Sequence, residues 1–227
     1  MIIYYGEFNN ELLVKPKPVI SLLKDVQDKA NLQIKRCPAF IDFYKNTYAV
    51  YPTFDYTLVY DSAKQIFESP DYTQDVFNSL IRVRDKDSGA FSYVDPLLCF
   101  VTDESSLILE QLPLAYPFDA PRYSIIPGEF DIGKHVRPLE LACQAEPNVP
   151  IEFKRDKPIY LVKFKTAEKI IFKRFIVTDA FKSLMRATFN LRDRLKFRKP
   201  LSFYYKLSEE YKLKKQLLNL AKQNVVE

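Results

Sequence analysis

The side chains best equipped for chemistry stand together in Pro127-Gly128-Glu129-Phe130-Asp131-Ile132-Gly133-Lys134-His135-Val136-Arg137-Pro138. The segment holds two of the chain's four glycines and its only histidine. Lys134, His135 and Arg137 could receive an anion or substrate, with Gly133 letting it approach the backbone closely. The same residues also describe a turn between two sandwich strands whose glycines supply positive φ, and the pattern favours that simpler reading. A single imidazole narrows the chemistry further. It cannot build a metal site of two histidines and a carboxylate, or a two-histidine zinc motif, and any Cys–His or Ser–His–Asp arrangement would depend wholly on His135. His135 is therefore expected in a hydrogen-bonded structural or surface role. Cys37, Cys99 and Cys143 are odd in number and widely spaced, which fits small buried hydrophobes rather than a disulfide framework or a thiolate zinc site. There is no phosphate-binding loop, dinucleotide glycine pattern or metal-binding loop spacing. No cofactor and no catalytic residue is assigned.

The second concentration of functional groups is electrostatic. Residues 154–227 carry 20 Lys/Arg against 7 Asp/Glu, leaving 14 against 22 in residues 1–153, so the overall +5 conceals an acidic body and a basic tail. Arg186, Arg192, Arg194, Arg198 and Lys199 could neutralise phosphates, with Phe189, Phe197, Phe203, Tyr204 and Tyr205 interleaved for base stacking. The same charges fit a tail that meets a protein partner, one that packs beside its own acidic body or a neighbouring copy's, and a plain solvated face.

These residues need elements to position them. Ile2 to Tyr5 reads as a strand, Lys15-Pro16-Lys17-Pro18 as extended chain, and Ile20 to Ala30 as a short helix or irregular turn. Thr47 to Tyr51 and Phe54 to Tyr60 follow as strands, the second with Phe54, Tyr56, Leu58 and Tyr60 on one face. The polar stretch from Asp61 to Asp95 reads as surface, with a turn at Asp85-Lys86-Asp87-Ser88-Gly89. Strands are then expected at Leu97 to Val101, Leu107 to Leu112, Tyr123 to Ile126, Ile151 to Phe153, Ile159 to Phe164 and Ile170 to Phe172. Short strands separated by proline-bearing turns indicate a mainly β fold, a jelly roll or β-sandwich over residues 1–177. At Thr178 the period changes: Phe181, Leu184, Met185, Thr188, Leu191 and Leu195 follow helical spacing until Pro200. A second helix, beginning near Ser202 or Ser208, carries the stripe Leu213, Leu217 and Leu220, so that residues 178–227 form a basic α-helical extension.

The composition of 47% hydrophobic and 28% charged residues is that of a globular chain, and no run of about 18 apolar residues offers a membrane span. With strand-like Ile2 to Tyr5 in place of a signal core, the expectation is a soluble cytosolic protein, neither secreted nor in a membrane. The chain also resembles a small family of conserved, uncharacterised proteins of T4-like tailed phages of marine and cyanobacterial hosts. The resemblance is carried by Arg36-Cys37-Pro38-Ala39-Phe40 leading to Asn46-Thr47-Tyr48, by Phe130-Asp131-Ile132-Gly133-Lys134 to Arg137-Pro138, by Tyr160-Leu161-Val162-Lys163-Phe164, and by Tyr204-Tyr205-Lys206-Leu207. It implies a phage origin and a place in the host cytoplasm or the virion, and it transfers no catalytic residue. The expectation is a non-enzymatic protein that acts through a protein partner or self-association. The alternatives are nucleic-acid binding through the tail and, behind it, an enzyme using His135 with nearby carboxylates.

Overall fold

Strict alternation of apolar and polar residues makes Tyr56–Asp61 a strand with Tyr56, Leu58 and Tyr60 buried and their neighbours half exposed. The structure, a computed structural model, describes residues 1–8, 15–22, 37–115, 118–194, 203 and 212–226, and Asp95, Pro96 and residues 187–194 by backbone alone. The fold is mainly β. In chain order the strands are β1 (Ile2–Glu7), β2 (Lys17–Pro18), β3 (Thr47–Val50), β4 (Tyr56–Asp61), β5 (Ile66–Glu68), β6 (Ile81–Asp85), β7 (Ala90–Val101), β8 (Ile108–Leu112), β9 (Tyr123–Ile125), β10 (Gly128–Asp131), β11 (Pro138–Ala145), β12 (Ile151–Phe153), β13 (Tyr160–Phe164) and β14 (Ile171–Arg174). Among the described residues the helices are α1 (Pro38–Tyr44), α2 (Gln74–Leu80), α3 (Asp179–Arg194) and α4 (Leu213–Gln223).

The strands form three sheets, consistent with a β-sandwich. The first runs β14-β1-β7-β11-β9 with β6 also on β7, the second β10-β8-β13-β3-β2, and the third β12-β4-β5. The long β7 lets two partners share one edge: β6 pairs with its first half, Ile81 opposite Tyr93, and β1 with its second, Tyr5 opposite Phe100. One face of the first sheet packs against the other two sheets. Phe100 meets Phe164 of the second sheet edge-on at 5.3 Å, while Tyr93 lies 4.8 Å from Phe153 and stacks with Tyr56 at 6.1 Å in the third. Each fully buried aromatic of this kind contributes roughly 1.5–3 kcal/mol through removal of apolar surface from water.

The opposite face of the first sheet is covered by the C-terminal helices. Alternation along β1 and β7 turns Tyr4, Cys99 and Val101 to that side, where they share one apolar cluster with Phe181 and Met185 of α3 and Leu217 and Ala221 of α4. The Thr178 hydroxyl accepts the Phe181 N–H at 3.3 Å, the N-terminal cap its residue type suggests. After α4 the chain returns to the sheet: Ile176 N–H donates to Asn224 O at 3.0 Å and Val226 N–H to Arg174 O at 2.9 Å. The outer face of the second sheet carries a further layer, with Val19, Tyr44, Ala49, Tyr51 and Leu161 in its own apolar cluster. No helix among the described residues is long and apolar enough to cross a membrane.

Several sequence expectations change. Residues 61–95 hold β5, α2, β6 and the start of β7, with Phe77, Leu80, Phe91 and Tyr93 buried, so this stretch is core as well as surface. Residues 38–44 form a helix because Pro38 stands at its first turn, where a missing N–H costs nothing. Phe54 precedes β4 and is exposed, so it does not join the Tyr56, Leu58 and Tyr60 face. Of Ile20 to Ala30, residues 20–22 are helical, together with residue 19, and the rest lie outside the described residues.

Candidate functional site

The segment rich in special residues is a strand followed by a turn into the next strand. Gly128–Asp131 is β10, paired with β8, and β11 begins at Pro138, which confines the turn to 132–137. Asp131 organises that turn. Its Oδ1 accepts the N–H groups of Leu107 and Gly133, each at 3.0 Å, and its Oδ2 accepts the Ser106 hydroxyl at 3.0 Å. Burial raises the Asp131 pKa, but these hydrogen bonds and the Lys134 charge outweigh it and hold the carboxyl below its ordinary value. The Gly133 N–H that an incoming anion would need is thus already given to the protein's own carboxylate.

Neither Gly128 nor Gly133 has positive φ, so the expectation that they supply it is corrected. At Gly133 the need is space. A Cβ there would lie 2.4 Å from Ser106 Cα and 2.5 Å from Leu107 N, so what approaches this glycine is the chain's own backbone. Lys134 is exposed with its Nζ 3.5 Å from Asp131 Oδ2, and the half-buried His135 donates its backbone N–H to Asp131 O at 2.9 Å. Arg137 lies over the Phe130 ring, 4.5 Å from its centroid. Lys134 thus meets the Asp131 carboxylate, His135 the Asp131 carbonyl and Arg137 the Phe130 ring. Among the described residues no three His, Cys, Asp or Glu side chains are grouped so as to hold a metal ion.

The tertiary structure does bring this turn to the basic tail. Lys214 of α4 donates to the carbonyls of Gly133 and Glu104, and Lys222 reaches Asp103 Oδ2 at 2.9 Å. Burial pushes the Lys214 ammonium below its usual range against the opposing pull of Asp131, Asp103 and Glu104. The hydrogen bond from Lys222 holds the Asp103 carboxyl below its own. Part of the basic tail is therefore spent on the acidic body of the same molecule. Arg186 is exposed on α3, as are Lys212 and Lys215 around the start of α4, and none has an ion pair with a described residue. Arg192 and Arg194 are in the last turns of α3, while Arg198 and Lys199 lie outside the described residues.

No family model, curated protein or solved structure matches this chain. The functional reading must come from its own surface.

Sequence reasoning missed an exposed aromatic on that surface, on α1. Phe40 and Tyr44 turn inward, with ring centroids 4.9 Å apart, and Tyr44 packs on the second sheet. The remaining large side chains point out: Phe43 is 47% exposed and Ile41 41%, with Ile20 on the neighbouring helical turn at 37%. Lys163 of β13 holds the end of α1 from below, donating to Phe43 O at 2.7 Å with its ammonium 4.7 Å from the Phe43 ring centroid. Lys15, Lys17 and Lys45 are exposed on the segments flanking these residues, against Asp42 alone on α1. The signal in the sequence was an aromatic run led by proline, in which Phe43 falls off the Phe40–Tyr44 spacing.

Proposed function

We propose that this chain is a phage protein that works by binding a protein partner, as a virion or assembly component or as a host-directed binder, in the host cytoplasm or the virion. The observation that carries the reading is the exposure of Phe43 at the end of α1, where Lys163 braces its backbone and its ring. An exposed aromatic ring held on a short, braced helix is how binding surfaces present an anchor. The jelly-roll arrangement of the core belongs to the same proposal. It is supported by antiparallel pairing between all the described strand partners except β1 and β14. The test is recovery of tagged full-length protein from infected cells and from purified virions, beside the Phe43→Ser variant. Wild type is expected to retain a protein that the variant loses. No retained protein, or equal retention by both, would refute the reading.

A second reading, nucleic-acid binding by the tail, is favoured by Arg186, Lys212 and Lys215, which are exposed and have no ion pair with a described residue. It predicts binding to a DNA or RNA oligonucleotide that weakens steeply with salt and is lost in Arg186→Glu with Lys215→Glu. Removing the tail altogether is a poor test, because α3 and α4 cover Tyr4, Cys99 and Val101.

A further inference from the structure

We infer that α4 is a latch: a helix formed by its own docking, which opens together with residues 224–226 as one unit, ahead of the sheets.

Little in α4 itself favours a helix. It has 11 residues, and helices shorter than about 12–15 residues are marginal on their own in water. Its first turn is set against it. Lys212, at the N-cap, is held in the left-handed region at φ 51° and ψ 33°, which strains a residue with a Cβ, and its side chain caps no N–H. No acidic residue stands in the first turn, where Lys214 and Lys215 bring positive charge to the positive end of the helix dipole. The contrast is α3, which has 16 residues, the Thr178 cap and Asp179 in its first turn.

What makes α4 helical is the surface beneath it. Its buried residues, Leu217 and Ala221, belong to the apolar cluster on the outer side of the first sheet. Lys214 gives up part of its hydration to donate to the Glu104 and Gly133 carbonyls, and Lys222 meets Asp103 at 2.9 Å. Beyond the helix, Ile176 N–H donates to Asn224 O and Val226 N–H to Arg174 O. Among the described residues, none from 212–226 belongs to the core between the sheets. The contacts of α4 can therefore break together while that core stays closed, which is the condition for a cooperative local opening. Opening returns Lys214 to water and releases the strain at Lys212, so part of its cost is recovered. It uncovers the Tyr4 and Val101 side of the first sheet and withdraws residues 224–226 from β14, the strand at that sheet's end. An apolar strip and a strand edge are then presented side by side, and the docked latch keeps both closed.

The experiment is amide hydrogen exchange of the full-length protein, read residue by residue by NMR, in water and in urea below the unfolding transition. The amides of 217–224, with those of Ile176 and Val226, are expected to share one low protection with a weak urea dependence, while those of β1, β7 and β13 wait for global unfolding. Two neighbours give the sharpest comparison. Phe175 N–H donates to Tyr5 O and is expected to exchange with the sheet, whereas Ile176 N–H, bound to Asn224 O, is expected to exchange with α4. Lys212→Gly removes the left-handed strain and Lys215→Glu reverses the charge at the helix start; both side chains are exposed, and each change is expected to raise the protection of α4 by about two- to fivefold. The inference is overturned if α4 and β7 amides show the same protection and urea dependence, if Phe175 and Ile176 exchange together, or if either variant leaves the protection of α4 unchanged.

Discussion

Replacing Gly133 by alanine tests whether this glycine serves packing or a ligand. The added Cβ would sit 2.4, 2.5 and 2.6 Å from Ser106 Cα, Leu107 N and Ser106 C, roughly 1 Å inside comfortable carbon contact. The obstacle is backbone, not the end of a flexible side chain, so the 106–107 and 131–133 segments must separate. They are tied by Leu107 N–H to Asp131 Oδ1 at 3.0 Å and by Ile132 N–H to Leu107 O at 2.9 Å, while Lys214 holds the Gly133 carbonyl. Overpacking costs about 1–3 kcal/mol and each weakened hydrogen bond about 0.5–1.5 kcal/mol, which puts Gly133→Ala near 3 kcal/mol of lost stability. For a domain of this size that lowers Tm by about 6–12 °C. Gly128→Ala is the control: its Cβ would meet nothing closer than Phe130 Cζ at 3.4 Å, so stability is expected within about 0.5 kcal/mol of wild type. Urea unfolding of the three proteins, followed by tyrosine fluorescence and circular dichroism, gives both numbers. A Gly133→Ala loss below about 0.5 kcal/mol, or an equal loss in Gly128→Ala, would refute the packing argument.

Leu217 is buried against the first sheet with Val101 and Met185, so Leu217→Ala is expected to cost about 2–4 kcal/mol in urea unfolding; a negligible change would mean that α4 is not part of the core. The Asp131 carboxyl has a folded pKa below its ordinary 3.8, so its stabilisation is fully present above that value and is lost as pH falls through the folded pKa. Asp131→Asn is therefore expected to lower stability at neutral pH and to flatten the acid limb of Tm against pH, whereas parallel acid limbs would contradict the assignment. Cys99 and Cys143 are buried, with thiols that burial pushes far above their usual range, and Cys37 is exposed. One thiol per folded chain is expected to react with a thiol reagent and three after unfolding; a second rapid reaction in the folded state would show that the core is open.

Local pattern was enough for the elements that carry their own signature. Thr47–Val50, Tyr160–Phe164 and Asp179–Arg194 were legible because β-branched and aromatic residues, a period of two, or a threonine cap with helical spacing act over a few residues. The central strand β7 was half hidden. Asp95-Pro96 interrupts its run, and its first half serves β6 while its second serves β1, so no single pattern covers all twelve residues. In β11, Leu139, Leu141, Cys143 and Ala145 do alternate, but small residues and a leading proline mute the signal. The α1 helix was given no element from the sequence, because in its seven residues only the Pro38 start and the Phe40–Tyr44 spacing mark a helix.

The sequence by itself determined that the fold is β-rich, that one histidine limits the chemistry available, and that an acidic body is joined to a basic tail. It could not say where those charges go. Lys214 and Lys222 meet Glu104, Gly133 and Asp103 only because sheet register lays the 103–107 and 131–134 loops beneath α4, more than 80 residues away along the chain. Likewise Phe43 is exposed while Tyr44 beside it is buried because α1 lies flat on the second sheet, and a sheet can cover only one side of a helix.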